Sequence, residues 1–413
     1  MNLGKKAILS LALLSLIGFS ARGLWEGEDV FVLGNIKAAP GEVRSGYLDV
    51  PEKDGIKTAI PITIIRGAKK GKVLALVAAV HGAEYPPVLA LYRIKDQVDP
   101  KKLSGTLVLV HIANLPSFQK RTIYYNPFDW KNLNRVFPGD PNGTLSQRMA
   151  YVLNEEIVKK CDYLLDLHCG DANEALIPYS YWMISDKKST DAKTKDMALA
   201  FGLRHIIIDT TRTKDPKDSK YLGNTAILQG KPAITTESGF LGRTDEESIA
   251  RNVKGILSVM KLLKMIEGTP DFVPDPVWID RYEVVNSKYD GLFYPQVEMG
   301  AMVAQGQTVG VVKDYFGNVK EDVKAPFAGV ILYFIGTPPA NKGEPLFEVG
   351  RILLEGNPSP GFPSNARFAL CQPSEEHLAM YLKGGYSWKE TLLRGFLPTL
   401  ASLAANLPMS IIR

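Results

Sequence analysis

Strand-like and helix-like segments alternate along residues 45 to about 268 of this 413-residue chain. Short apolar runs rich in valine, isoleucine and leucine are typical of buried strands. They lie at 58–67, 72–80, 106–114, 162–168, 203–210 and 231–238. Amphipathic helices are predicted at 87–98, 144–161 and 246–266. Because strands that alternate with helices form sheets covered on both faces, the pattern predicts an α/β domain within residues 24–270.

The pattern changes after a proline-rich linker at 267–278. Residues 279–350 contain short β-type segments separated by glycine turns, with little helical spacing of apolar residues. This predicts a small C-terminal all-β domain over 279–350. Residues 356–413 are predicted to form a linker and a C-terminal helical tail.

Residues 1–23 have the pattern of a secretory signal peptide. Lys5 and Lys6 precede an apolar run over 7–19, and small residues flank Arg22. The run is short for a membrane span, so we predict cleavage, a mature chain without a membrane span, and a periplasmic or secreted location. An uncleaved anchor helix is the alternative. Removing residues 1–23 lowers the formal charge from +5 to +2, which is too small to indicate a nucleic acid partner.

Two histidines are predicted to lie at the carboxyl ends of buried strands. His81 and Glu84 follow the run at 72–80, and His168 ends the run at 162–168. Ligands bind beyond the carboxyl ends of strands in open α/β sheets, so these three side chains can converge. Two imidazoles and one carboxylate leave one position of a tetrahedral zinc ion open, as in catalytic zinc sites. Taken alone, His81 and Glu84 favour a structural interpretation, in which a glutamate begins a helix beside a histidine that bonds to the backbone.

Further polar residues can complete a hydrolytic site. Glu237 lies at the end of the run at 231–238, where a carboxylate near zinc can act as a general base, although a helix cap is the alternative. Asn134 and Arg135 can bind a substrate carboxylate, because a guanidinium group forms bidentate pairs with carboxylates. Arg121 can polarise a carbonyl group.

The motifs HGAE, NLNRVFPG, DLHCGD and TESG, in this order, resemble the succinylglutamate desuccinylase/aspartoacylase family, which is related to the carboxypeptidase A-like zinc hydrolases. The resemblance covers roughly residues 45–270. It implies a zinc carboxypeptidase-like α/β/α domain, with a mostly β-sheet core covered by helices, followed by an additional β domain. It also implies one Zn²⁺ per chain, held by His81, Glu84 and His168.

The same resemblance assigns roles to the remaining residues. Glu237 is expected to be the general base and later the acid, Asn134 and Arg135 to bind the substrate carboxylate, and Arg121 to polarise the scissile carbonyl. Cys169 follows the second histidine, where its thiol is a candidate fourth ligand that would inhibit catalysis.

The implied activity is zinc-dependent hydrolysis of an amide bond in a small N-acyl amino acid or related compound that carries a carboxylate. One alternative is a zinc carboxypeptidase acting on peptides such as cell-wall fragments. Another is a non-catalytic, zinc-bearing binding protein of the cell envelope. The sequence leaves the acyl group, the amine and an oligomeric state open.

Overall fold

The computed structural model describes residues 29–353, so the predicted signal peptide and the predicted tail lie outside the described residues. The first strands are β1 (Phe31–Leu33), β2 (Ile36–Ala38), β3 (Val43–Lys53), β4 (Ile56–Arg66), β5 (Lys69–Ala78), β6 (Ser104–Val110), β7 (Tyr163–His168), β8 (Glu174–Leu176), β9 (Tyr179–Met183), β10 (His205–Asp209) and β11 (Ala233–Glu237). The α-helices are α1 (Tyr85–Gln97), α2 (Leu115–Lys120), α3 (Leu145–Val152), α4 (Lys188–Phe201), α5 (Leu222–Leu228) and α6 (Glu246–Leu262). Short 3₁₀-helices occupy Leu133–Arg135 and Pro216–Asp218, and a π-helix occupies Leu153–Val158. The later strands are β12 (Val277–Asn286), β13 (Gly291–Pro295), β14 (Met302–Val303), β15 (Thr308–Lys313), β16 (Val319–Lys324), β17 (Gly329–Ile335), β18 (Pro339–Ala340) and β19 (Pro345–Ile352).

A sheet of 13 strands forms the centre of the molecule. Its order is β14-β17-β19-β12-β10-β9-β11-β7-β5-β6-β4-β3, and β8 pairs with β17. The strands β5, β7 and β11 are adjacent and parallel, so their carboxyl ends lie at the same edge of the sheet. Side chains that follow these strands can therefore meet, as the sequence predicted.

Both faces of this sheet are buried. Successive strand residues point to opposite faces, and on β5 Leu74 and Leu76 join one hydrophobic cluster whereas Ala75 and Val77 join another. Helices α1, α4 and α6 contribute to the first cluster, and α3 and α5 contribute to the second. This arrangement confirms the predicted α/β fold with a sheet covered by helices.

The C-terminal β segment continues the central sheet. Strand β12 runs parallel to β10 and antiparallel to β19, so pairing passes directly from the first part of the chain to the second. Strands β13, β15, β16 and β18 form a separate four-stranded sheet. A third hydrophobic cluster, which includes Phe293, Val309 and Phe347, fills the space within this segment. The predicted all-β segment is present, and it packs as an extension of the main sheet.

Two local features refine the sequence interpretation. The helix predicted at 144–161 is divided into α3 and the π-helix that follows it. Cys161 and Cys169 are buried free thiols, and Cys371 lies outside the described residues.

Within residues 29–353, no helix is both long and apolar enough to cross a membrane.

Candidate active site

The loop between β5 and α1 carries His81 and Glu84. The chain leaves the strand at Ala79, whose φ of 51° lies in the left-handed region. Gly82 then packs so closely on α2 that an added Cβ would lie 2.5 Å from the carbonyl carbon of Ser117. Glycine is therefore needed at position 82 for close approach, and the sharp change of direction occurs at Ala79. Helix α1 follows, with prolines in its first turn.

The side chains of His81, Glu84 and His168 converge in a nearly buried cluster. One donor atom from each residue lies within 4.8 Å of the others. Nδ1 of His81 is 2.7 Å from Oε1 of Glu84, and Nδ1 of His168 is 3.0 Å from Oε2 of Glu84. The three residues are 9%, 2% and 2% exposed. The structure therefore brings together the three ligands that the sequence predicted.

Two further side chains orient the imidazole rings. Oδ1 of Asn132 accepts a hydrogen bond from Nε2 of His81 at 3.1 Å, and Oδ1 of Asp166 accepts one from Nε2 of His168 at 3.0 Å. The Nδ1 atom of each ring then faces the carboxylate of Glu84, within hydrogen-bond distance of it. This is how histidine ligands are oriented in metal sites, where the second ring nitrogen donates to an oxygen.

The electrostatics of the cluster fit a cation. Burial disfavours charge on His168, yet the carboxylates of Glu84 and Asp166 outweigh burial and raise the pKa of His168 well above its usual value. Burial also acts to raise the pKa of Glu84, but His168 and His81 hold it below its usual value. The cluster therefore needs positive charge beside the Glu84 carboxylate. A divalent ion that accepts nitrogen and oxygen ligands would supply that charge.

Glu237 lies next to this cluster at the end of β11. It is in register with His168 on the neighbouring strand β7, and its side chain lines the same cavity as the metal-ligand candidates. Its Oε2 atom is buried and has no hydrogen-bond partner in the described part of the chain. Burial, together with the nearby Glu84 and Glu174 carboxylates, raises the pKa of Glu237 well above its usual value. A carboxyl group with such high proton affinity is suited to accept and return a proton.

The cluster opens into a cavity of about 790 Å³. Residues between His81 and Glu237 supply part of its lining. Strands β12, β17 and β19 supply another part through Tyr282, Tyr333 and Glu348. A cavity of this size suits a small molecule.

Two arginines face this cavity. The guanidinium group of Arg135 lies 4.6 Å from the ring centre of Tyr221, and that of Arg212 lies 3.9 Å from the same ring. Arg212 also forms an ion pair with the buried Asp209. Arg212 was not identified from the sequence, because it lies in a loop after β10 and carries no recognisable motif.

Asn134 lines the cavity, and its side chain also forms a hydrogen bond to the backbone of the protein. Its Oδ1 atom accepts a hydrogen bond from the backbone N–H of Leu222 at 2.9 Å, which positions the start of α5. Its Nδ2 atom lies 3.3 Å from Nε2 of His168. Asn134 is therefore held beside the candidate metal cluster by the backbone of a distant helix.

Arg121 and Cys169 lie outside the arrangement that the sequence suggested. Arg121 ends α2 in a left-handed conformation with φ of 55°, is exposed, and does not line the cavity. The role predicted for Arg121 in polarising a carbonyl therefore has no support in this geometry. The thiol of Cys169 donates to the carbonyl oxygen of Gly170 at 3.4 Å, and burial raises its pKa well above the usual value. Among the described residues, the converging donor group contains His81, Glu84 and His168 without this thiol.

The covered sheet and the buried His/Glu/His cluster at its strand ends define a mixed α/β protein with a candidate metal site of the hydrolase type. Residues 70–263 match the succinylglutamate desuccinylase/aspartoacylase catalytic domain. This match, together with the similarity of the chain to a curated relative, confirms the resemblance seen in its motifs.

Individual proteins and solved structures are similar to this chain. The N-alpha-acetyl-L-2,4-diaminobutyric acid deacetylase of Halomonas elongata is 29% identical over 324 residues, which cover 75% of this chain and 92% of the relative. The crystal structure of a succinylglutamate desuccinylase from Silicibacter sp. TM1040 shares the fold, with a TM-score of 0.68 at 24% identity over 78% of this chain and 100% of that chain. The product-bound ectoine utilization protein of Ruegeria pomeroyi has a TM-score of 0.67 at 25% identity, over 79% of this chain and 96% of that chain.

Proposed function

We propose that this protein is a zinc-dependent deacylase that hydrolyses the amide bond of a small N-acyl amino acid. The observation that carries the proposal is the convergence of His81, Glu84 and His168, with Glu237 beside them, in one cavity. The match of residues 70–263 to the catalytic domain of the family and the similarity to a deacetylase of an N-acetylated diamino acid support this activity. Export to the periplasm or out of the cell is also proposed, and it rests on the sequence of residues 1–23.

His81, Glu84 and His168 would hold one Zn²⁺, with Asn132 and Asp166 keeping the two rings in place. When bound, this ion supplies Lewis acidity toward water and the amide carbonyl.

The side chains of the protein perform the proton transfers and hold the substrate. Glu237 removes a proton from the attacking water and returns it to the leaving nitrogen, so that the amine departs as a neutral group. Arg135 binds the substrate carboxylate, and its contact with the Tyr221 ring keeps the guanidinium group at the cavity wall. Arg212 is a second cation at this wall, although Asp209 offsets much of its charge.

Glu237→Gln tests the assignment, because glutamine keeps the size of the side chain and cannot take a proton. We expect the zinc-loaded wild-type protein to release acyl acid from N-acyl amino acids, and the variant to lose roughly 10²- to 10⁴-fold in kcat. Both proteins should contain the same amount of zinc by elemental analysis. Glu267→Gln, at an exposed position, serves as the matched control.

Product analysis separates the proposal from its alternatives. Release of acyl acid supports a deacylase, whereas release of a C-terminal amino acid from peptides indicates a carboxypeptidase. Wild-type turnover by the zinc-bound Glu237→Gln variant would show that another group transfers the proton. Zinc binding without turnover of any amide in a broad panel would identify a binding protein.

A further inference from the structure

Glu348 is a buried carboxyl group in the wall of the cavity, on strand β19. It is 1% exposed. Tyr333 of β17 and Val284 of β12 are paired with it across the sheet, and both also line the cavity. Paired residues on neighbouring strands point to the same face, so the Glu348 side chain faces the cavity with them.

The protein provides few groups that stabilise a negative charge on the Glu348 carboxyl group. Its hydrogen-bond partner is the Tyr179 hydroxyl, which donates to Oε2 at 3.3 Å. No lysine, arginine or histidine among residues 29–353 forms an ion pair with it, since the nearby Arg212 is paired with Asp209. Burial raises the pKa of Glu348 to about 8. A buried carboxylate without a partner cation is costly, so its presence in a cavity wall calls for a role.

The proposed hydrolysis does not use Glu348. Other acids at the cavity are either part of the candidate site or already bonded: Glu174 accepts a hydrogen bond from the Tyr124 hydroxyl at 2.8 Å, and the exposed Glu344 accepts one from the Asn341 side chain at 2.9 Å. Glu348 is therefore the buried acid of this wall with the fewest protein partners among the described residues.

Tyrosine rings surround this carboxyl group. They belong to Tyr179, Tyr181, Tyr282 and Tyr333, all of which line the cavity. The ring centres of Tyr179 and Tyr181 are 5.6 Å apart, and those of Tyr181 and Tyr282 are 6.0 Å apart. Aromatic faces attract cations, and a desolvated carboxylate attracts them more strongly. A carboxyl group among tyrosine rings forms a suitable site for an organic ammonium group.

We propose that Glu348 is a specificity-determining residue that binds the side-chain ammonium group of an N-acylated diamino acid, the class of compound that the Halomonas elongata relative is named for. This inference rests on the proposed deacylase function. The substrate carboxylate would bind at Arg135, which lines the same cavity, and the side-chain ammonium would bind at Glu348.

Matched substrates test the inference. The Nα-acetyl derivatives of 2,4-diaminobutyrate, ornithine and lysine are each compared with the compound in which a methyl group replaces the ammonium. For the side-chain length that fits best, we expect the zinc-loaded wild-type protein to prefer the ammonium compound in kcat/KM by roughly 30-fold or more. Glu348→Gln should reduce this preference to about threefold or less, with the loss of kcat/KM falling mainly on the ammonium compound. Glu344→Gln, at the exposed cavity rim, should keep the wild-type preference.

Binding of the deacylated products, measured by calorimetry on the same proteins, distinguishes the two proposals. Turnover by the wild-type protein without preference for any ammonium compound would overturn the role of Glu348 and leave the deacylase function standing. An unchanged preference in the Glu348→Gln variant would do the same. If no compound is hydrolysed but the diamino acids bind to the wild-type protein and lose affinity in Glu348→Gln, the ammonium site stands and the deacylase function fails.

Discussion

Replacing Glu348 with glutamine is expected to stabilise the metal-free and substrate-free protein at neutral pH. Burial raises the pKa of Glu348 from 4.5 to about 8, so folding at pH 7 forces this group to take up a proton that it lacks in the unfolded chain. Glutamine has nearly the same shape as the protonated acid and can still accept the hydrogen bond from Tyr179. It should therefore fold without this penalty.

The size of the effect follows from the pKa values. Because the folded-state pKa is raised, the stability contributed by Glu348 is fully present below pH 4.5 and is lost as the pH rises toward 8. At pH 7, which is 2.5 units above the ordinary pKa of 4.5, the free energy of unfolding is lowered by about 3 kcal/mol, because each pH unit corresponds to ~1.36 kcal/mol. The difference in free energy of unfolding between variant and wild type should be near zero at pH 4 and should level off at about 5 kcal/mol above pH 8.

Urea unfolding of the full chain with a chelator present, repeated at several pH values, measures this difference. Buried acids that do not interact with Glu348 titrate in both proteins and cancel from the comparison, whereas the charges of Glu174 and Asp209 help to raise the pKa of Glu348 and are part of the measured effect. Glu344→Gln should show the wild-type pH profile, because Glu344 is exposed. Equal or lower stability of Glu348→Gln at pH 7, or a difference that does not change with pH, would refute the claim that Glu348 is buried without a compensating charge.

Two further predictions concern the metal cluster and the arginines. Asp166→Asn should weaken Zn²⁺ binding roughly 10- to 100-fold in competition with a chelating dye, because it removes the negative charge that Asp166 places beside the His168 ring. Unchanged affinity would contradict this role. Arg121→Ala should leave kcat/KM within about twofold of wild type because the side chain is exposed, whereas Arg135→Ala should raise KM roughly tenfold or more. The reverse result would restore the role that the sequence suggested for Arg121.

The sequence by itself determined the alternation of strands and helices and the positions of both candidate histidines. These features are local: burial on both faces produces continuous apolar runs such as those of β5 and β7, and the polar residues of the site follow where each run ends. The family motifs then placed His81, Glu84 and His168 in one site.

Only the tertiary structure decided which other charged groups face that site. Arg121 lies near the motifs in the chain but is exposed and does not line the cavity, whereas Arg212 and Glu348 are distant in the chain and line it. Strand β19 carries Glu348 to the cavity because the β segment pairs with the central sheet through β12. Such contacts join residues far apart in sequence and depend on strand register and side-chain direction, which no local pattern of residues encodes.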